Sequence, residues 1–303
     1  MTEAAIKSCK YNMTYGLCVS NDLGYVVLEY LHKHGLPINL VFTDSGSTEI
    51  LEYCIHNNIV VFKGNPRNGR ATAFIENNGI QFDVLLSVNY LFIIENDLIN
   101  KSRKYSINVH GSKLPLYRGR CPNVWAIING EEEEGLTAHL IAEGCDEGDI
   151  IKQSTFPISK EQTGYDLLVR SFEIYPKWTL DLVSDIESDL LTMTPQDQSK
   201  ATYFGKRTPE DGQIDWNWQK ERINNWIRAQ AQPYYPGAFS FINHHKIIIN
   251  KVSYSDCGYR WDIPNGKVVD LKDSKPYVKT PNGVIILDSY ISDIDISVND
   301  LFI

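Results

Sequence analysis

Asn108 and His110 stand two residues apart in the run Ser106-Ile107-Asn108-Val109-His110-Gly111-Ser112. In a strand, alternate side chains share a face, so this spacing aims an amide and an imidazole at one spot. Farther along, Gly144-Cys145-Asp146-Glu147-Gly148-Asp149 is a glycine-flanked acidic turn that can bring a carboxylate beside the pair. Acyl transfer to an amine needs such a set. Its tetrahedral intermediate carries negative charge on oxygen, which an amide N–H stabilises, and an acidic proton on nitrogen, which an imidazole accepts while a carboxylate orients it. Asn108 and His110, with a carboxylate from that turn, are therefore the candidate catalytic residues. Alone, Asn108 reads as a turn or edge residue and His110 as a structural histidine; their combination gives the functional reading its weight.

The wider pattern resembles the folate-dependent formyltransferases. It runs Asn108-Val109-His110-Gly111-Ser112-Lys113-Leu114-Pro115-Leu116-Tyr117-Arg118-Gly119, then Pro122, Trp125-Ala126-Ile127 and Asn129-Gly130, then Gly135-Leu136-Thr137-Ala138-His139, then Asp146-Glu147-Gly148-Asp149. The family loop usually reads Asn-x-His-x-Ser-Leu-Leu-Pro; here Lys113 replaces an apolar residue while Ser112 and Pro115 are kept. The likeness extends from the first strand to Tyr234-Tyr235-Pro236-Gly237-Ala238-Phe239. It implies 10-formyltetrahydrofolate as formyl donor and no metal. By the same resemblance Asn108 donates to the formyl oxygen and His110 takes a proton from the attacking amine. Asp149 orients the histidine or passes the proton to the departing folate nitrogen. Main-chain groups around Ser87, Val88, Asn89 and Tyr90, with those around Ile141, Gly144 and Asp146, would recognise the pterin.

The acceptor implied is a nucleotide-linked amino sugar, with dTDP-3- or 4-amino-dideoxyhexoses foremost, for surface polysaccharide such as the O-antigen of lipopolysaccharide. Ser112, Lys113, Arg118, Arg120, Lys206 and Arg207 are the candidate acceptor contacts, the arginines and lysines as a diphosphate clamp because guanidinium groups bind phosphate in bidentate fashion. Tyr234 and Tyr235 are candidates to stack on the base. A methionyl-tRNA formyltransferase is the alternative. It needs a basic surface, however, whereas this chain has 29 Lys+Arg against 38 Asp+Glu, a formal net charge of -9, and phosphate binding depends on clustered cations. Where the tRNA enzyme carries a basic insertion, this chain has only Thr43-Asp44-Ser45-Gly46-Ser47-Thr48-Glu49. A formyl-tetrahydrofolate hydrolase and a non-catalytic nucleotide-sugar-binding protein complete the alternatives. Sugar-modifying relatives imply a homodimer through the smaller domain, and neither nucleic acid nor membrane is expected as a partner.

The elements that must hold these residues alternate. Strands at 15–20, 38–43, 59–62 and 82–87 and helices at 22–34, 48–57 and 71–77 predict an α/β, doubly wound, Rossmann-like parallel sheet with helices on both faces. The first helix is expected to be capped by Asn21 or Asp22 and stopped at Gly35. No glycine pattern follows the first strand, which disfavours a nicotinamide cofactor. Over 163–191, Leu168, Phe172, Tyr175, Val183, Ile186 and Leu190 fall at roughly helical spacing, with Pro176 expected to kink or restart the helix. Pro195, Gly205 and Pro209 mark a junction, giving a catalytic domain over 1–204 and a small β-rich, open-barrel domain over 205–303. His139, in an alternating run, reads as a packed or hydrogen-bonded strand residue rather than a second base. Scattered cysteines and a start without an apolar signal region predict a cytoplasmic protein.

Overall fold

A strand covered on both faces must be apolar throughout, and Tyr15–Val19 (β1) is buried at every position in the computed structural model, which describes residues 11–188 and 191–303. Ile38–Thr43 (β2), Val61–Lys63 (β3), Phe82–Val88 (β4) and Ser102–His110 (β5) join β1 in a parallel array. The two-residue strand Arg118–Gly119 (β6) stands outside it; Glu133–Leu140 (β7) and Ile150–Pro157 (β8) complete a seven-stranded mixed sheet, in the order β3-β2-β1-β4-β5-β7-β8. Parallel pairing runs from β3 to β5, as expected for a doubly wound sheet, and β7 then pairs with β5 antiparallel. Helices Asn21–Lys33 (α1), Thr48–His56 (α2), Arg70–Asn77 (α3) and Asn96–Ile99 (α4) separate the first five strands.

Leu23, Gly24, Val27, Leu28 and Leu31 form the buried stripe of α1. Its cap position belongs to Ser20, one residue before the expected Asn21 and two before Asp22, and makes no side-chain cap bond among the described residues. Strand β1 lies between β2 and β4, so chain order reverses there, and open α/β sheets take ligands beyond the carboxyl ends of strands near such a point. Below that end, Cys18, Leu40, Phe42, Phe62, Phe82 and Leu85 pack as a core. The register aligns Asn108 with Ser87 on one side and His139 on the other.

Two compact units result. The first takes residues up to Arg118, with Gly135–Thr155 and Arg170–Thr202; the second takes Gly119–Glu134, Phe156–Val169 and Tyr203–Ile303. Helix α5 (Pro122–Ile128) belongs to the second unit, and α6 (Gly164–Glu187) contributes residues to both. Pro176 lies inside α6 without interrupting it. The ring is buried, and its packing offsets a lost main-chain bond and a clash that cost about 3 kcal/mol in an isolated helix. The buried stripe of α6 runs through Leu167, Ser171, Trp178, Leu182 and Ile186, so Leu167 takes the inward place expected of Leu168. Leu190 lies outside the described residues.

After the short strand Tyr203–Phe204 (β9) and helix Lys220–Ala229 (α7), the second unit is an antiparallel sheet. It consists of Ala238–Ile242 (β10), His245–Ser255 (β11), Val268–Lys272 (β12), Lys275–Thr280 (β13) and Gly283–Ile291 (β14), in the order β10-β11-β14-β13-β12. Residues 300–303 bridge its two outer strands. Phe241 and Ile303 exchange main-chain bonds at 3.2 and 2.9 Å on the β10 side, and Val268 N–H donates to Asp300 O at 2.9 Å on the β12 side. Phe302, 2% exposed, stacks on Trp216 with ring centroids 5.0 Å apart.

Candidate active site

Strand β5 delivers Asn108 and His110 to the carboxyl end of the sheet, as their spacing requires. His110 is 7% exposed. Its Nε2 lies 2.8 Å from the carbonyl oxygen of Tyr117. A carbonyl only accepts, so Nε2 carries the hydrogen and Nδ1 keeps a lone pair. Asp146 Oδ2 stands 3.6 Å from that Nδ1. Burial holds the imidazole below its ordinary titration range, opposed by the nearby Asp146 charge and the Tyr117 carbonyl and reinforced by His139. At neutral pH it is an uncharged base with its lone pair on the Asp146 side.

The carboxylate beside the pair is Asp146, not Asp149. Asp146 adopts a left-handed conformation (φ 54), which turns the chain so that Oδ1 lies 3.4 Å from Asn108 Nδ2 and Oδ2 faces His110. Gly148 passes so close to β7 that a Cβ there would lie 1.9 Å from Leu140 O. Asp149 then returns its main-chain carbonyl to the Leu140 N–H at 3.0 Å, continuing the sheet register beyond the turn. Cys145 Sγ donates to Asp146 Oδ2 at 3.4 Å. Burial and the adjacent carboxylate push this thiol up to about 11, so it stays protonated.

His139 is a packed, hydrogen-bonded strand residue. It is 2% exposed and aligned with Asn108 across the β5–β7 pair. Its Nδ1 lies 2.8 Å from Leu140 O and therefore carries the hydrogen, leaving Nε2 to accept from Asn108 Nδ2 at 3.2 Å. The asparagine amide is thus aimed by His139 and Asp146 together. Only register could have revealed this: His139 and Asn108 are remote in sequence and direct neighbours in the sheet.

Other expected contacts divide. Ser112 is buried and its hydroxyl donates to Leu116 O at 2.7 Å, so it holds its own loop rather than a ligand. Arg118 is 0% exposed. Its Nε and Nη2 donate to Gln196 Oε1 at 3.2 and 2.6 Å and its Nη1 to Gln198 Oε1 at 2.8 Å. A guanidinium so enclosed does not serve a diphosphate. Lys113 is exposed, as are Arg120 and Lys206 in the second unit. Arg207 lies over the rings of Trp125 and Trp226, 5.0 and 4.2 Å from their centroids, and one of its nitrogens donates to Asp211 O and Gln230 Oε1, each at 3.1 Å. Tyr234 is 54% exposed and packs against Tyr165, while burial raises the half-buried Tyr235 well above the usual phenol range.

At the end of β4, Ser87 and Val88 are buried and Asn89, at φ 54, donates from Nδ2 to Ser20 O at 3.0 Å. Tyr90 packs against the first unit's core, and its hydroxyl is buried without a hydrogen bond among the described residues. Ile141 N–H donates to Ser106 O at 2.8 Å. At Gly144 a Cβ would meet Glu147 Oε2 at 2.0 Å.

With this geometry in view, two family models match. One, formyl transferase, covers residues 18–182, and the other, formyl transferase, C-terminal domain, covers residues 206–292. The chain belongs to the formyl transferase family and is a formyltransferase. Among solved structures it is similar to WlaRD, described as a sugar 3N-formyl transferase in the presence of dTDP and 5-N-formyl-THF. That match has 21% identity and a TM-score of 0.68, over 94% of this chain and 99% of that one. It is also similar to an N-formyltransferase from Helicobacter canadensis in complex with folinic acid and dTDP-3-aminofucose (21% identity, TM-score 0.64, 90% and 98% covered). A third similar structure is a methionyl-tRNA formyltransferase from Clostridium thermocellum, at 16% identity and TM-score 0.57, with 89% and 100% covered.

Proposed function

We propose that this chain is a sugar N-formyltransferase that moves the formyl group of 10-formyltetrahydrofolate to the amine of a nucleotide-linked amino sugar, with dTDP-3- or 4-amino-dideoxyhexoses as the substrate class. The product would serve surface polysaccharide such as O-antigen. The observation that carries the chemistry is the meeting of Asn108, His110 and Asp146 at the carboxyl end of the sheet. The amine attacks the formyl carbon. Asn108 donates to the oxygen as it becomes negative; its two contacts, at 3.2 and 3.4 Å, are long enough to be exchanged for a shorter charge-assisted bond. His110 Nδ1 takes the proton that the new C–N bond makes acidic, and Asp146 stabilises the imidazolium. Collapse breaks the bond between the formyl carbon and the folate nitrogen, which leaves with the proton that His110 had taken and so restores the neutral imidazole.

Support for the sugar acceptor comes from the two similar enzymes described with dTDP ligands and from the net charge of -9, which disfavours tRNA. Arg120 and Lys206 are the exposed cations proposed for the diphosphate, and Tyr234 is the exposed aromatic proposed for the base. The test is a panel of nucleotide-linked amino sugars, the free sugars and methionyl-tRNA, each incubated with enzyme and donor and read by mass spectrometry. A gain of one formyl group on a dTDP-amino sugar is expected. Equal efficiency on free sugars would remove the nucleotide, and efficient formylation of the tRNA would replace this reading.

A further inference from the structure

The turn that supplies Asp146 is fastened from outside by a residue no motif marks. Gln196 donates from Nε2 to two carbonyls of the turn, Asp146 O at 2.8 Å and Gly148 O at 2.7 Å. An amide nitrogen has two hydrogens, and both are used. Its oxygen accepts from Nε and Nη2 of Arg118, at 3.2 and 2.6 Å. Those bonds fix which way the amide faces, since a flipped group would set its N–H donors against a guanidinium that can only donate. Gln196 is 8% exposed and Arg118 0%, so water offers little competition for this chain of bonds. On its other side the turn rests on β7, through the close approach of Gly148 to Leu140.

We infer that Gln196 is a positioning residue for transfer: it holds the Asp146 carboxylate at His110 and Asn108, and Arg118 locks its amide in the orientation that does so. The inference rests on the proposed roles of Asp146 and His110. The groups facing the His110 ring are Asp146 from the turn, the Tyr117 carbonyl from the loop after β5 and His139 from β7. Of these, Asp146 is the one whose place depends on Gln196. Loosening the turn therefore has a signature that general destabilisation lacks, because it withdraws the negative charge that favours the protonated ring.

Gln196→Glu keeps an acceptor for Arg118 but presents oxygen instead of N–H to both carbonyls; Gln196→Ala removes both ends. For each variant, kcat, KM for donor and acceptor, and the pH profile of kcat are measured beside thermal unfolding. We expect kcat to fall by about tenfold to 100-fold, as for displacement of a reacting group by about 1 Å. Both KM values should stay within about threefold, and the acid limb should move to lower pH by about half a unit or more. Titration of the His110 ring by NMR in the free enzyme, expected to shift the same way, reads the positioning without any acceptor. It therefore still decides the matter if the wild-type protein transfers nothing, which would sink the functional reading instead. Unchanged kcat and an unchanged His110 titration in both variants, whatever the loss in melting temperature, would overturn the inference.

Discussion

Replacing Asp146 and Asp149 separately by asparagine tests the assignment of the carboxylate. Asp146 Oδ2 lies 3.6 Å from His110 Nδ1, with only 14% of the aspartate and 8% of the histidine side chain exposed. At an effective dielectric of about 20, unit charges at that separation attract by about 4 to 5 kcal/mol. If the imidazolium is half developed in the transition state, Asp146→Asn should lower kcat by about 30-fold, and by about 1,000-fold if it is fully developed. Asp149 takes part in the turn through its main-chain carbonyl, which asparagine retains, so Asp149→Asn should stay within about threefold of wild type. The assay is initial-rate formylation of whichever nucleotide sugar the panel identifies, at saturating donor. A large loss in the Asp149 variant with near-normal turnover in the Asp146 variant would assign the carboxylate to Asp149 instead.

Because burial lowers the folded-state pKa of His110, the acid limb of kcat should fall below the ordinary histidine range near pH 6.5; a limb centred above neutrality would exclude it as the base. The same depression means the unfolded chain binds more protons than the native one at acid pH. Stability from this group is therefore complete above about pH 6.5 and lost progressively as pH falls through the folded-state pKa, which urea midpoints at several pH values, with and without His110→Asn, will show. Gly148→Ala places a methyl where Leu140 O already stands; kcat should drop at least about tenfold as the turn moves, and full activity would show that the turn yields freely. Phe302→Ala, which empties a buried site against Trp216, should cost about 3 to 5 kcal/mol in chemical denaturation, with a loss under about 1 kcal/mol showing that the pocket collapses.

The i, i+2 spacing of Asn108 and His110 was enough to place both at one sheet end, because strand geometry fixes it. The carboxylate was not so determined: Asp146 and Asp149 flank the same turn, and the choice hangs on a left-handed φ at Asp146 and on Gly148 lying against β7, which no periodicity encodes. Arg118 reads as a surface cation in sequence, since buried arginines are rare; two glutamines remote in the chain accept from it, and Glu147 pairs with it at 3.7 Å. Gln196 sits in a polar passage that resembles a linker, and its two carbonyl partners exist only once the turn has folded. In α6 the apolar residues permit either of two adjacent stripes, and packing selects the one through Leu167.

The bridge formed by residues 300–303 bears on how the protein behaves at high concentration. An antiparallel sheet of five strands ends in two rows of unpaired main-chain groups, and such rows template pairing between molecules. Here β10 and β12 give part of those rows to one short segment, which exchanges bonds with Phe241 on one side and with Gly266 and Val268 on the other. Substitutions that loosen this segment, such as proline at Phe302, whose N–H donates to Gly266 O at 3.0 Å, would uncover both edges together. Light scattering should then report self-association before circular dichroism reports unfolding.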